Sequence, residues 1–449
     1  MNMADDKQSL LSAPEKNSGE AGKFDSPHPS AEAVVDPEWG RISAPEEPRS
    51  VPPLPQTSFR REYAYRSFWA RKLFGAIDAV GGRLYRPKGD PPQTIDRVLV
   101  MRPDHLGDVL FSFPALKSLR RHLPKARIDM LIGPWVRPLV QEGSKEVSGA
   151  ELLEFSAPWL MRPKKSRLGI KAVFELAYRL RKRAEEIGGP YDLAIDLRGD
   201  FQLILAARMA GVRYLVGRGH TGFGFALNVE AEEIRGRHQV ENNLALIESA
   251  GFGPQETTNP TLKLTKQEIE QGRALLRSHG VDHSTILIGV HPGAGLPTKR
   301  WGADKFSGLI RRMISDLPVR VVLLGGPDDR PVVDDILVSL KRARPAGRFV
   351  NLCGRLPDMR SFMAVSQQCA LFIGNDSGPS HIAAALGVPL ICVFSGTNDP
   401  REWGPRGSSA VIIRSRIECE GCGLDTCDHH SCMRQLDVNA VFQAVRRCV

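Results

Sequence analysis

Twice along this chain, short apolar runs alternate with amphipathic stretches of helical period, and that alternation limits the fold more than any other feature. Arg97–Met101, Ile128–Ile132 and Tyr191–Leu197 read as strands in the first run, and Thr285–Val290, Arg320–Leu324, Ala370–Ile373 and Pro389–Phe394 in the second. Val109–Leu123, Gly169–Ile187, Gln239–Ala250, Phe306–Ile314 and Ser380–Leu386 read as helices between them. On the first of these, Leu110, Phe113, Leu116, Leu119 and Leu123 fall on one face. Strands without polar alternation are buried on both sides, and strands that alternate with helices build parallel sheets covered on both faces. Two similar α/β halves, joined near residue 265, imply a cleft. Ligands of such sheets bind beyond the carboxyl ends of the strands.

The parts outside this pattern are marked by charge. Residues 1–58 hold nine prolines and ten acidic against five basic side chains, a composition that cannot bury enough apolar surface to offset its ordering entropy, so this tail is expected to be disordered. Residues 59–94 follow as a basic aromatic segment of roughly helical spacing, fit either to lie on an anionic membrane surface or to dock on the folded body. Phe59–Lys88 has eight basic and two acidic residues, and Arg162–Arg183 nine and one, so these two stretches outweigh the whole net charge of +10. Basic blocks attract polyanions, although a solvated helix face would look the same. The expected organisation is therefore 1–58, 59–94, a first Rossmann-like domain over 95–265 and a second over 266–449. No apolar run approaches the roughly 18 residues that span a bilayer, and the polar N-terminus is not a secretory leader, so the expected address is the cytoplasm, with contact at the inner membrane left open.

Three loops after strands could do chemistry. In Arg102-Pro-Asp-His-Leu-Gly-Asp108, Gly107 permits a close backbone approach, and Asp108 at a helix start is either an N-cap or a general base facing the cleft. In His291-Pro-Gly-Ala-Gly-Leu-Pro-Thr-Lys-Arg-Trp301, glycines with Thr298 and Lys299 suit a phosphate, but the order is neither a P-loop nor the dinucleotide glycine triplet. In Gly374-Asn-Asp-Ser-Gly-Pro-Ser-His381, capping accounts for some of the polar residues but hardly for Asp376 and His381 together. A fourth cluster, Cys419, Cys422, Cys427 and Cys432 with His429 and His430 inside it, admits a closed structural zinc site or simply reduced thiols.

Taken together, these residues resemble glycosyltransferase family 9, the lipopolysaccharide heptosyltransferases. The likeness runs from Ile95 to Val449 and rests on Arg97–Leu116, Asp192–Asp200, Gly374–Gly387 and the Cys419–Met433 segment in order; the first 94 residues lie outside it. It implies a GT-B fold, two Rossmann-like domains facing across a cleft, with inversion at the anomeric carbon. It implies Asp108 as catalytic base; Thr298, Lys299, Asp376, Ser377, Gly378 and Gly325 on the donor side; and Arg102 and Arg198 on the acceptor side. The implied partners are a nucleotide-sugar donor, with ADP-heptose first, and a lipid-linked saccharide acceptor. No cofactor is expected beyond a structural zinc at the cysteines. No Asp-x-Asp pair occurs in the chain, so lysine and backbone amides are expected to meet the leaving diphosphate in place of a divalent metal. Two other readings fit the same residues. One is a nucleotide-sugar epimerase or hydrolase of the same fold, separable by product analysis with a lipid acceptor. The other is a non-enzymatic binder of polyanions or membranes, though the chain lacks the aromatic platforms of nucleic-acid modules and no nucleic-acid partner is expected.

Overall fold

The computed structural model describes residues 34–35, 67–85, 87, 90–140, 149–160, 169–253, 255–256, 258–282, 284–341 and 348–449. The expectation of disorder over residues 1–58 falls outside these, save for β1 (Val34–Val35), whose backbone pairs antiparallel with the edge of the second sheet. The helix α1 (Phe68–Leu84) begins at Ser67, whose hydroxyl accepts from the Ala70 amide as an N-cap.

The first half comprises β2 (Arg97–Met101), α2 (Leu106–Phe111), α3 (Phe113–His122), β3 (Arg127–Ile132), β4 (Ala150–Glu154), α4 (Ile170–Glu186), β5 (Leu193–Asp196), α5 (Phe201–Met209), β6 (Tyr214–Gly217), β7 (Val229–Glu230) and α6 (Gln239–Ile247). Its strands are all parallel, in the order β4-β3-β2-β5-β6-β7. Val98, Leu99, Val100 and Met101 are at most 1% exposed, as two-sided cover demands. The run read as one helix over Val109–Leu123 is two. Pro114 in the first turn of α3 has no N–H to give the Leu110 carbonyl, and its ring crowds that carbonyl, so the chain restarts at Ser112. The Ser112 hydroxyl takes up part of the slack by donating to the Val109 carbonyl at 2.6 Å.

The second half comprises α7 (Lys266–Ser278), β8 (Ile286–His291), α8 (Ala303–Asp316), β9 (Val319–Leu323), α9 (Arg330–Lys341), β10 (Phe349–Asn351), α10 (Met359–Ser366), β11 (Leu371–Asn375), α11 (Gly378–Ala385), β12 (Leu390–Val393), α12 (Pro400–Trp403), β13 (Ala410–Arg414), α13 (Ser431–Arg434) and α14 (Val438–Cys448). Its sheet runs β1-β13-β12-β11-β8-β9-β10, parallel apart from β1. A capping box between Thr265 and Glu268 starts α7. Leu309, Ile310 and Met313 of α8 are fully buried, against a cluster that includes Val441 and Phe442 of the last helix. Each such side chain withdrawn from water contributes about 1.5–3 kcal/mol.

Counted within each half and leaving β1 aside, both sheets share one strand order, with two strands to one side of the half's first strand and three to the other. The order reverses between β2 and β5 in one half and between β8 and β11 in the other. A crevice at the carboxyl end of such a reversal is where doubly wound sheets bind ligands. The halves are tied along one side: the His238 ring bonds the Gly404 carbonyl at 2.9 Å, Arg406 pairs with Glu241 at 2.9 Å, and the Leu262 amide donates to the Ala385 carbonyl at 2.8 Å. Among the described residues, no helix is long and apolar enough to cross a membrane.

Candidate active site

The loops singled out from the sequence leave the two sheets at these reversals. Arg102–His105 and Leu197–Asp200 follow β2 and β5; Pro292–Arg300 and Asp376–Ser377 follow β8 and β11. Two crevices, one in each half, thus collect nearly every candidate residue.

On the first side, Asp108 is not the N-cap of α2. His105 holds that position without a side-chain cap, and Asp108 sits within the first turn. Its carboxylate turns instead to Arg102, whose guanidinium stands 3.1 Å away, and keeps 19% of its side chain exposed. Behind it lies a buried lattice of charge. Arg102 donates to the Leu197 carbonyl and faces Asp104 at 3.7 Å. Arg198 grips Asp104 and also Asp200 at 2.6 Å, and the Trp159 indole donates to Asp200 at 3.1 Å. Burial opposes the charge on Asp104, but Arg198, His105 and Arg102 outweigh it and hold that carboxyl well below the usual range. For Asp108 the balance tips the other way. Burial first, and then the Asp104 carboxylate, push its pKa up, and the pull of Arg102, Arg198 and His105 does not cancel them. An ionised carboxylate thus stands beside another whose proton affinity is raised, the chemical property that a general base requires. The ligand atoms of Asp104, His105 and Asp108 lie within 4.8 Å of one another, but two guanidinium groups already neutralise that cluster. His105, half-exposed, pairs with Asp104 at 3.1 Å.

On the second side, Lys299 and Asp376 form an ion pair at 2.6 Å, with Asp376 2% exposed. Burial alone would raise the Asp376 pKa, yet Lys299 and then His381 hold it below the usual range. With its amide turned to satisfy both neighbours, Asn398 accepts from the Lys299 ammonium at 2.8 Å. Asn375 stitches the two loops: its amide donates to the Pro292 and Gly293 carbonyls at 2.8 and 3.1 Å and accepts from the Trp301 amide at 3.2 Å. Ser377 is the N-cap of α11 and makes no side-chain cap, while the Ser380 hydroxyl folds back onto the Asn375 carbonyl at 2.6 Å. Thr298 is placed differently from the expectation of a ligand hydroxyl. It is 2% exposed and donates to the Leu424 carbonyl at 2.8 Å. Gly325 lies one strand away, after β9, where a side chain would run into Asp329. The Asp329 carboxylate in turn meets the His291 ring at 3.2 Å.

The two sides touch. A Cβ on Gly107 would stand 3.0 Å from the His381 ring, and one on Gly378 would stand 3.1 Å from Leu106. The Phe111 ring meets His381 edge-on at 5.0 Å. His381 lies 3.7 Å from the Asp376 carboxylate. The starts of α2 and α11 therefore abut, and a short path runs from Asp108 past Gly107 and His381 to Asp376 and Lys299.

The cysteine segment lies behind the second loop. Cys432 is buried, and burial followed by the neighbouring Cys419, Cys427 and Cys422 raises its thiol pKa. Among the described residues, no three ligand atoms of these cysteines and the nearby histidines come within 4.8 Å of one another. The segment acts as a buttress. Besides Leu424 on Thr298, the His430 ring bonds the Thr298 carbonyl at 2.9 Å, and the Gly421 and Gly423 amides donate to Gly396 and Thr397 at 2.8 and 3.0 Å.

Sequence reasoning missed Asp104, Asp196 and Asp200. Asp196 ends β5, fully buried, and accepts from the Arg198 and Gly199 amides at 3.0 and 3.1 Å. Burial pushes its pKa up to about 7. A folded-state value above the ordinary 3.8 means that the native state holds a proton the unfolded chain releases. Asp196 therefore withdraws stability as pH rises from about 4 to about 7, by at most roughly 4 kcal/mol. In thermal melts, Asp196→Asn is expected to gain Tm over the parent progressively across that window and hold the gain above it. A constant difference from acid to neutral pH would refute the assignment.

Comparisons with known proteins place these features in a family. The model of "Glycosyltransferase family 9 (heptosyltransferase)" matches residues 179–432. The chain is similar to lipopolysaccharide heptosyltransferase 3 of Escherichia coli K12, 30% identical over 309 residues, covering 67% of this chain and 82% of that protein. Among solved structures, it is similar to the E. coli ADP-heptose LPS heptosyltransferase II, with TM-score 0.61 and 25% identity over 78% of this chain and 98% of that one. It also resembles the family 9 glycosyltransferase of Veillonella parvula, with TM-score 0.67 and 21% identity over 80% of this chain and 99% of that one.

Proposed function

The chain belongs to glycosyltransferase family 9, the heptosyltransferases, and from that premise we propose that it transfers a heptosyl group from ADP-heptose to a lipopolysaccharide-core saccharide, with Asp108 as base. The observation that carries the site reading is the meeting of Gly107 with His381, which brings the Asp108 carboxylate and the Lys299–Asp376 pair to one cleft.

The chemistry follows from the charges. An acceptor hydroxyl entering beside α2 gives its proton to Asp108 as its oxygen bonds the anomeric carbon. The bond from that carbon to the β-phosphate oxygen breaks, ADP leaves on the opposite face, and the configuration inverts. Positive charge develops on the sugar ring and negative charge on the diphosphate. Asp376, held ionised, suits the ring and its hydroxyls. Lys299 has three N–H donors; Asp376 and Asn398 engage two and leave one for a phosphate oxygen. The start of α11, uncapped by any side chain, adds helix-dipole attraction for the same anion. Thr298 and the cysteine segment behind it hold Lys299 in place. Arg102 and Arg198 fix the base and its neighbour Asp104, a positioning role on the acceptor side. The working location proposed is the cytoplasm.

A thermal-shift panel tests the donor. ADP and ADP-sugars should raise Tm well above the effect of UDP or GDP at equal concentration; a nucleotide at a hundred times its Kd contributes about 2.7 kcal/mol. A larger shift with UDP would overturn the ADP assignment. Chelation should leave the transfer rate unchanged, and a loss of tenfold or more (about 1.4 kcal/mol) would mean that a metal shares the diphosphate.

A further inference from the structure

Helix α4 of the first half, and α1, which packs on that half, turn apolar rows toward solvent. On α4, Ala172, Val173, Leu176, Ala177 and Leu180 pack inward, as an amphipathic helix should. On the other side Ile170, Phe174 and Tyr178, four residues apart, are 59%, 59% and 68% exposed. On α1, Phe74 packs on Phe201 with ring centroids 5.2 Å apart, and Gly81 admits the edge of Phe225. Its outer side presents Trp69, Leu73 and Leu84, 78%, 59% and 82% exposed.

The two helices belong to one region. Gly169, just before α4, seats the Trp159 ring, and the Trp159 indole bonds Asp200. The next residue, Phe201, is the one that receives Phe74 of α1. Both helices therefore converge on the start of α5. Exposed cations flank both rows: Arg71, Lys72 and Arg83 on α1, Lys171 and Lys182 on α4. Asp78, the one acidic residue of α1, is buried away from this face, and of the exposed glutamates of α4, Glu175, Glu185 and Glu186, the first pairs with Arg179 at 2.6 Å and the last with Arg183 at 3.3 Å.

Exposed aromatic rows of this kind mark an interaction surface. The charge decides among occupants. A second copy meeting it across a two-fold axis would set cation against cation. Anionic headgroups would pair with those cations while Trp69, Leu73, Phe174 and Tyr178 enter the boundary with the acyl chains. We propose that α1 and α4 dock this chain on an anionic phospholipid bilayer, which brings the cleft to an acceptor anchored in that membrane.

The test is co-sedimentation of the full chain with vesicles of phosphatidylcholine alone or mixed with phosphatidylglycerol, alongside the paired variants Trp69→Glu with Leu73→Glu and Phe174→Glu with Tyr178→Glu. The wild type should bind the mixed vesicles at least about tenfold more tightly than neutral ones, and each pair should lose about tenfold or more of that binding. Circular dichroism checks that the variants fold, and transfer to a detergent-dispersed acceptor should stay at the wild-type rate. That last measurement separates the two readings, since a failure of docking leaves heptosyl transfer standing. Equal binding to both vesicles, undiminished binding of both folded pairs, or loss of a solution dimer in place of vesicle binding would each overturn the proposal.

Discussion

Asp108→Asn should lower the turnover of heptosyl transfer by about a hundredfold to ten-thousandfold, the usual worth of a positioned general base. The amide keeps the volume and an oxygen for the Arg102 guanidinium now 3.1 Å from the carboxylate. What it loses is the capacity to take a proton. ADP affinity, read by calorimetry or thermal shift, should therefore change little, and the loss should fall on kcat rather than on the donor KM. The pH profile supplies a second check. Burial and Asp104 raise the Asp108 pKa, so the base stays protonated to a higher pH than an ordinary carboxyl near 3.8. Wild-type kcat/KM should fall as pH drops through that raised value, and this acid limb should vanish from the residual activity of the variant. Transfer within a few-fold of wild type would remove Asp108 from the chemistry.

Lys299→Ala should injure both activity and stability, and a second substitution should separate the two. Removing a preorganised cation from a leaving group costs about a hundredfold to a thousandfold in kcat. Removing the partner of a buried carboxylate also leaves an uncompensated charge, typically about 3–5 kcal/mol of stability, and Asp376 is 2% exposed. The pair holds the folded Asp376 below its ordinary pKa, so its contribution is present above the unfolded value and is lost as pH falls through the folded one. Lys299→Ala should erase that part of the acid limb of stability. Adding Asp376→Asn should recover most of the lost Tm without recovering transfer. Recovery of transfer as well would mean that Lys299 serves the fold and not the diphosphate.

The strands were legible because two-sided burial leaves an uninterrupted apolar run, as in Val98–Met101. The loops were legible because glycine and small polar residues crowd the carboxyl ends of those strands. The partners were not. Arg198 reaches Asp104 and Leu424 reaches Thr298 from far along the chain, and nothing local to either residue announces the other. Asp108 illustrates the difference: its place near a helix start suggested capping, while the guanidinium that draws it away comes from the preceding strand end. Asp196 looked like one acid among several in Asp192–Asp200, and only the closure of the sheet over it reveals a carboxyl pushed toward neutrality. The cysteine spacing admitted either a metal or reduced thiols, and it gave no sign that the segment's carbonyls and amides would turn toward the loops beside it.

The close approach of Gly107 to His381 sets how near the two halves stand at the base of the cleft. There the backbone of one half passes so near an imidazole of the other that a single added carbon would press on the ring. Any other residue at that point is a spacer, tolerated only if the ring yields by a few tenths of an ångström.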